Sequence, residues 1–194
     1  MTRLRLTLAC DHYDLFWPMK NGTITPEGID LQILTVGADR HEKMMRNGEF
    51  DACEIGLSHY LMARLKGMPF QAIPVFILRM FPHRFIYCRG GESLHSLDDL
   101  RGKQVGVVRP SNMLGLWLRG LMRQDFGIDP DQITCVAEKE DVVESPLHAK
   151  SRYRTLSTRK NQKESLLRGE IDAVVAPGVV EPFLEGTGGV RRLF

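Results

Sequence analysis

The sequence predicts an α/β protein of two three-layer lobes, each with a mostly parallel sheet covered by helices. Two observations predict this class. Stretches of alternating polar and apolar residues, typical of strands, are separated by helical stretches that end at glycine. The same order of segments returns from residue 97 onward. A helix that leads into a strand through a short turn connects parallel strands, so each lobe is predicted to have a parallel sheet. We assign residues 1–84 to the first lobe and 85–194 to the second.

The first lobe opens with two strands, since residues 3–10 and 29–36 alternate between polar and apolar side chains. Asp39 can cap a helix that ends at Gly48. The segments predicted after the second strand are a helix at 39–47, a third strand at 49–57, a second helix at 59–67 and a fourth strand at 70–78. Ser58 stands at the end of the third strand.

The second lobe repeats this order with strands at 104–108 and 133–137, separated by a helix that Ser111 caps and Gly127 ends. The third unit of the repeat is the most informative. Residues 166–177 (LLRGEIDAVVAP) share with 44–55 (MMRNGEFDACEI) an apolar pair, a basic residue, Gly-Glu, an apolar residue and Asp-Ala. Coincidence among ordinary αβ loops is the alternative, and the matching order of the flanking units argues against it.

Composition excludes several classes of protein. The chain has 194 residues, 43% of them hydrophobic, which is typical of a globular protein. A net charge of +2 is too small for a nonspecific nucleic-acid binder. No stretch approaches 18 apolar residues, and the N-terminus lacks the apolar core of a signal peptide, so we expect a cytoplasmic protein with no membrane span. The four cysteines are 35 to 47 residues apart, a spacing that favours buried thiols over zinc or disulfide frameworks.

Two such lobes form a cleft, and α/β sheets bind ligands beyond the carboxyl ends of their strands. The ligand is therefore expected at the segments 11–14, 58–60, 79–84, 109–113 and 176–178. Residues 75–91 read as a segment that crosses between the lobes. Six basic residues without an acid occupy 150–163, either as a solvated loop or as a basic rim that attracts an anion.

The densest group of polar candidates follows the first strand, where Asp11, His12, Tyr13 and Asp14 are consecutive. A histidine beside carboxylates can act as a general acid or base near neutral pH. Asp and His also form ordinary turns after strands, so both interpretations stay open.

Arg79, His83 and Arg84 interrupt an otherwise apolar segment, where charge is costly unless it is paired or meets a ligand. A guanidinium suits a carboxylate ligand, although Arg79 can instead pair with Asp11 or Asp14. Ser58, Ser111 and Asn112 precede helices, where they can cap the helix or contact an anion. No Walker loop, dinucleotide fingerprint or zinc-protease motif is present in the sequence.

Taken together, these segments resemble one family. CDHYD after the first strand, PEGIDLQIL, GEFDACEIGLSHYLMAR, AIPVF followed by Arg79 and His83, LRGKQVGVV, LWLRG and GEIDAVVAP are similar to the 4,5-dihydroxyphthalate decarboxylases over essentially the whole chain. That family resembles the type 2 periplasmic solute-binding proteins in fold. Pro82 and Arg84 depart from the family pattern beside His83. Members of such families continue beyond the end of this sequence, so the chain looks truncated at its C-terminus.

The resemblance implies a non-oxidative decarboxylation of a dihydroxylated aromatic dicarboxylate, 4,5-dihydroxyphthalate, to protocatechuate. It implies that His83 supplies the proton, with His12 in reserve, and that Arg79 anchors a carboxylate. The ring hydroxyls would be oriented by Asp11, Tyr13, Ser58, Ser111 and Asn112, and Arg84 would add to the anion site. No organic cofactor is needed, a metal requirement is left open, and a homo-oligomer is expected if the first lobe is incomplete.

Two alternatives remain. A solute-binding protein of a transporter would use the same cleft for a small anionic ligand without chemistry. The chain could also be an inactive remnant of a longer enzyme.

Overall fold

The computed structural model describes residues 2–142, 153–155, 161–177 and 189–193. The chain packs as two units, Met1–Ile77 and Leu78–Phe194. Each unit is described by itself, and the predicted lobe boundary at 84/85 stays a prediction. In the described residues no helix is long and apolar enough to cross a membrane.

The first unit contains a three-stranded parallel sheet in the order β2-β1-β3. Its strands are β1 (Leu4–Cys10), β2 (Ile29–Thr35) and β3 (Ala52–Cys53). A 3₁₀ turn at Asp14–Phe16 leads into the short helix α1 (Trp17–Lys20), and α2 (Arg40–Glu42) continues as a π-helical stretch over Lys43–Asn47. The unit's longest helix is α3 (Leu57–Leu65).

The second unit holds six described strands in the order β7-β6-β5-β8-β4-β9. The pairs β5/β6, β6/β7 and β5/β8 are parallel, whereas β4 is antiparallel to both of its neighbours. The strands are β4 (Ile86–Arg89), β5 (Gln104–Val107), β6 (Thr134–Ala137), β7 (Tyr153–Thr155), β8 (Ala173–Val175) and β9 (Val190–Arg192), and the helices are α4 (Met113–Phe126) and α5 (Gln162–Leu167). The predicted α/β class with mostly parallel sheets is confirmed.

Most of the buried apolar side chains belong to the second unit. The strands β4, β5, β6 and β8 pack against α4 and α5 there, with Tyr87, Leu118, Met122 and Ile171 almost completely excluded from solvent. Gly106 lets β5 and the residues before β8 approach closely, since a Cβ at that position would lie 2.7 Å from Ile171 Cδ1.

The predicted repeat corresponds to the same local structure in both units. Gly48 and Gly169 both have a left-handed backbone, with φ of 61° and 73°. Three residues later, Asp51 accepts a hydrogen bond from the Thr7 N–H on β1 at 2.8 Å, and Asp172 accepts one from the Gln104 N–H on β5 at the same distance. Each carboxylate therefore fastens the start of a strand to the parallel strand beside it.

Two predicted strands of the first unit are wrong in extent or in kind. Over 49–57 only Ala52–Cys53 pairs as a strand, and α3 already begins at Leu57, so Ser58 lies inside a helix. Residues 70–78 form no strand. The physical reason is Pro74 in the middle of that segment, which has no N–H to donate to a sheet and is preceded by a residue restricted in conformation.

Candidate functional site

The first candidate site lies where the carboxyl ends of β1 and β3 meet. Asp11 follows β1 and Glu54 follows β3, and because the strands are parallel neighbours the two carboxylates come to the same edge of the sheet. Arg40, the first residue of α2, lies between them. It is only 6% exposed, so its charge needs partners inside the protein.

The Arg40 guanidinium contacts two carboxylates and two backbone carbonyls. Its Nη2 lies 2.9 Å from Glu54 Oε2, and its Nη1 lies 3.2 Å from Asp11 Oδ2. The same Nη1 donates to the Val36 carbonyl at 3.1 Å, and Nε donates to the Glu54 carbonyl at 3.2 Å. All three guanidinium nitrogens are therefore used to hold the ends of the strands together.

Glu54 connects this arginine to the segment after β1. The Tyr13 hydroxyl donates to Glu54 Oε1 at 2.7 Å, and the Asp11 N–H donates to Oε2 at 3.1 Å. Burial, followed by the hydrogen bond to Glu54, raises the pKa of Tyr13 far above its usual range. The phenol is therefore a fixed neutral donor. We call Asp11, Tyr13, Arg40 and Glu54 the strand-end network.

The thiols beside this network are poor nucleophiles. Burial raises the pKa of Cys53 to about 11 and also raises the pKa of Cys10. Since the thiolate is the reactive form of cysteine, both groups stay protonated at neutral pH.

A hollow of about 260 Å³ borders the strand-end network. Its walls are His12, Tyr13, Asp14, Trp17 and Lys20. The Lys20 ammonium donates to Thr35 Oγ1, at the end of β2, at 2.6 Å. The hollow therefore lies near the carboxyl ends of two parallel strands, where α/β proteins place their ligands.

A larger hollow of about 600 Å³ lies against the sheet of the first unit. Its charged groups are already engaged: Arg5 Nε lies 3.5 Å from Asp30 Oδ2, and Asp51 accepts both the N–H and the hydroxyl of Thr7. We do not assign a site to it.

Ser58 lies in the first turn of α3, where it is 3% exposed and its Oγ has no hydrogen-bond partner among the described residues. A buried hydroxyl without a partner is costly. The next residue, His59, packs its ring against that of His41, with centroids 4.9 Å apart.

In the second unit, Arg79, His83 and Arg84 are all exposed. His83 and Arg84 belong to a 3₁₀ turn, Pro82–Phe85, that precedes β4, and the Arg84 guanidinium lies over the Phe85 ring at 5.3 Å. The apolar side chains around Arg79 are themselves exposed, including Phe76 and Phe81. Charged side chains on this exposed segment therefore stay in water and need no buried partner, and the predicted roles of these three residues stay predictions.

Ser111 and Asn112 fix the loop between β5 and α4. The Ser111 N–H and hydroxyl both donate to Asp141 Oδ1, at 3.0 and 2.6 Å. Asn112, rather than Ser111, caps α4, because its Oδ1 accepts from the N–H groups of Leu114 and Gly115. On the same loop, the Pro110 carbonyl accepts from Arg119 and from the Tyr153 hydroxyl.

The predicted site residues thus separate by unit. Asp11, His12 and Tyr13 lie together in the first unit, and Ser58 lies in the first turn of its helix α3. Arg79, His83, Arg84, Ser111 and Asn112 belong to the second unit, and the predicted pairing of Arg79 with Asp11 or Asp14 stays a prediction. The basic segment 150–163 lies largely outside the described residues, which include Arg154 and Lys163. In the part of the chain that the structure describes, no group of three or more His, Cys, Asp or Glu could hold a metal ion.

Sequence reasoning missed Arg40, Glu54, Trp17 and Lys20. Glu54 carries a usable signal: with the third strand ended at Cys53, it is the first residue beyond a strand, as Asp11 is. Nothing in the local pattern around Arg40 indicates that its side chain is buried.

The family model described as "NMT1/THI5 like" matches residues 11–151. Two relatives named 4,5-dihydroxyphthalate decarboxylase, from Comamonas testosteroni and Pseudomonas putida, are 29% and 27% identical over the whole of this chain. The chain spans 61% of the first relative's length and 78% of the second's. The resemblance stated from the sequence is confirmed.

Solved structures similar to this chain are periplasmic solute-binding proteins. The aliphatic sulphonate-binding protein SsuA of Escherichia coli has a TM-score of 0.59 at 16% identity, and the alkanesulfonate-binding protein SsuA of Xanthomonas axonopodis pv. citri, bound to MOPS, has 0.61 at 16%. Both comparisons cover all of this chain and 60% and 61% of the other. At this identity they establish the fold, which is that of the type 2 periplasmic binding proteins.

Proposed function

Because the chain belongs to the NMT1/THI5-like family, we propose that it binds a small anionic aromatic molecule and decarboxylates it without oxidation, as a protein of the 4,5-dihydroxyphthalate decarboxylase kind. The observation that carries this proposal is the similarity of the whole chain to 61% and 78% of the length of two relatives of that name. The hollow beside the strand-end network supports it, since it places an imidazole, a phenol and an ammonium around one small space.

In the proposed reaction the bond between a ring carbon and one carboxylate breaks, and carbon dioxide leaves. The electron pair stays on the ring carbon, which then takes a proton from the protein. Because no electrons are lost, the reaction needs no oxidant. The product of 4,5-dihydroxyphthalate is 3,4-dihydroxybenzoate, which is protocatechuate.

We assign the proton transfer to His12, with His83 as the other candidate. His12 lies on the wall of the hollow, which supports its assignment. Tyr13 donates its single O–H to Glu54, so its phenol oxygen can accept a hydrogen bond from a ring hydroxyl. Ser58 has a buried hydroxyl without a partner among the described residues, which suits a ligand or water nearby. The role of Arg79 as a carboxylate anchor stays a prediction from the sequence.

The experiment measures carbon dioxide release and protocatechuate formation when the purified chain is incubated with 4,5-dihydroxyphthalate. We expect turnover, and we expect His12→Gln to slow it by about 100-fold, within the usual contribution of a general acid. His83→Gln tests the second candidate, and His95→Gln, a change at an exposed histidine of the second unit, is the matched control. Failure of the chain to release carbon dioxide would contradict the proposed reaction. Parent-like turnover by His12→Gln would remove that residue from the role.

The second candidate function is solute binding without chemistry, which the fold shared with the two sulphonate-binding proteins favours. Calorimetric titration separates the two functions. A solute-binding protein would bind 4,5-dihydroxyphthalate or an alkanesulfonate tightly and leave it unchanged, whereas the decarboxylase would convert the first and ignore the second.

A further inference from the structure

Trp17 lies on the surface of the first unit and is not a core residue. Its side chain is 64% exposed, yet it forms one wall of the 260 Å³ hollow. An exposed indole keeps a large apolar face in water, and that face is well suited to stack against a flat ring. Neither Trp17 nor the other residues of α1 were predicted as part of the site.

Lys20, one helical turn further along α1, supplies a positive charge on the same hollow. Among the described residues its ammonium donates to the neutral Thr35 hydroxyl, and no carboxylate there lies within salt-bridge distance. An ammonium has three N–H groups, so two remain for a ligand. Asp14 is the one acidic side chain on the wall, and a carboxylate there can accept a hydrogen bond from a ring hydroxyl.

The hollow is small. Ligand sites in proteins begin at about 300 Å³, so a hollow of about 260 Å³ suits a single-ring molecule or one end of a longer one. An aromatic carboxylate has a flat ring that suits the indole face, a negative charge that suits the ammonium, and a size that suits this hollow.

We propose that α1 forms the aromatic-carboxylate subsite of the first unit, in which the ring stacks on Trp17 and a ring carboxylate contacts the Lys20 ammonium. This inference rests on the proposed function, because it names the part of that site which recognises the substrate class. Trp17 and Lys20 are binding residues in it, and the proton transfer lies with another side chain.

Tryptophan fluorescence tests the subsite directly, because the chain has only two tryptophans, Trp17 and Trp117. In the full chain carrying Trp117→Phe, excited at wavelengths that tyrosine does not absorb, Trp17 is the only emitter. We expect benzene-1,2-dicarboxylate to change this emission saturably, and cyclohexane-1,2-dicarboxylate, which has no aromatic ring, to do so at least about 10-fold more weakly. Adding Lys20→Gln should weaken the aromatic ligand about 10-fold. Lys20→Arg, which keeps the charge, should retain most of the affinity.

The matched control is Trp17→Phe, in which only Trp117 emits and the same additions should give no saturable change. No saturable change at Trp17, equal binding of the two dicarboxylates, or an unchanged dissociation constant in Lys20→Gln would each overturn the subsite. Failure of the proposed function looks different: 4,5-dihydroxyphthalate then binds at Trp17 but releases no carbon dioxide. Conversely, turnover with a KM that Lys20→Gln leaves unchanged would reject the subsite and keep the reaction.

Discussion

Arg40 holds more partners than any other side chain of the strand-end network. Its guanidinium contacts the carboxylates of Asp11 and Glu54 and the carbonyls of Val36 and Glu54. A planar guanidinium can serve these directions at once because it presents five N–H groups in a fixed geometry. The segment that carries His12 and Tyr13 is therefore positioned by a residue about 30 places along the chain.

We expect Arg40→Ala to lower the free energy of unfolding by about 3 kcal/mol, because it leaves the Glu54 carboxylate half-buried without its cation. Urea unfolding measures this loss. Arg40→Lys should recover little of it, since one ammonium cannot replace three guanidinium nitrogens.

The control is Arg46→Ala, on the π-helical stretch that continues α2. The Arg46 Nε lies 3.1 Å from Glu42 Oε1, but the pair is exposed, so its loss should cost less than about 0.5 kcal/mol. Equal effects of Arg40→Ala and Arg46→Ala would show that the strand-end network adds no more stability than an exposed ion pair.

The candidate site could be predicted from the sequence only where local pattern carries the information. Asp11, His12 and Tyr13 were found because the alternation of β1 stops abruptly at Asp11. Arg40 was not found, because its burial results from contacts with Asp11 and Glu54, which lie 29 and 14 positions away and meet it only after the sheet forms. Lys20 and Trp17 were missed for the same reason, since the hollow is a product of folding.

At the level of elements, the two glycines of α4 have opposite surroundings. A Cβ at Gly115 would lie 2.9 Å from Val107 Cγ1 on β5, whereas a Cβ at Gly120 would meet nothing within 4 Å. Gly115 therefore permits the helix to lie close to the sheet, and Gly120 has no packing role.

We expect Gly120→Ala to raise the free energy of unfolding by about 0.5 to 1 kcal/mol, the usual gain from replacing glycine on an exposed helix. Gly115→Ala gains the same helix propensity but should lower stability by about 1 kcal/mol, because the branched Val107 side chain cannot move aside easily. Thermal and urea unfolding of the two variants measure the difference. Stabilisation by Gly115→Ala would show that α4 can move away from β5 at little cost.

The strands and helices predicted from the sequence agree best with the structure where a glycine that ends a helical stretch is followed by a segment of alternating polar and apolar residues. The αL glycines Gly48, Gly127 and Gly169 end helical stretches as expected, and Asp51 and Asp172 occupy equivalent places before β3 and β8. The third strand was predicted too long, because the apolar residues Ile55 and Leu57 extend the pattern although α3 begins at Leu57. The spacing of apolar residues alone does not show where a short strand ends and the helix directly after it begins.

At the level of the whole molecule, the chain divides into its two units between Ile77 and Leu78. The segment 70–81 around this boundary has no helix or strand. Its apolar side chains are unusually exposed, with Phe76 at 71% and Phe81 at 80%. Such a segment offers an extended, accessible backbone to a protease, whereas helices and sheets do not.

Among residues 2–142, we expect limited chymotrypsin digestion of the native chain to cut first after Phe76, and mass spectrometry of the fragments would identify this cut; the bond after Phe81 resists the protease because Pro82 follows it. Trp117 is an internal control, since it is 52% exposed but lies within α4, where cleavage requires local unfolding. The variant Phe76→Ser should slow the first cut in this range several-fold. Cleavage after Trp117 at the same rate would contradict the division of the chain at this segment, because it would mean that α4 opens as readily as 70–81.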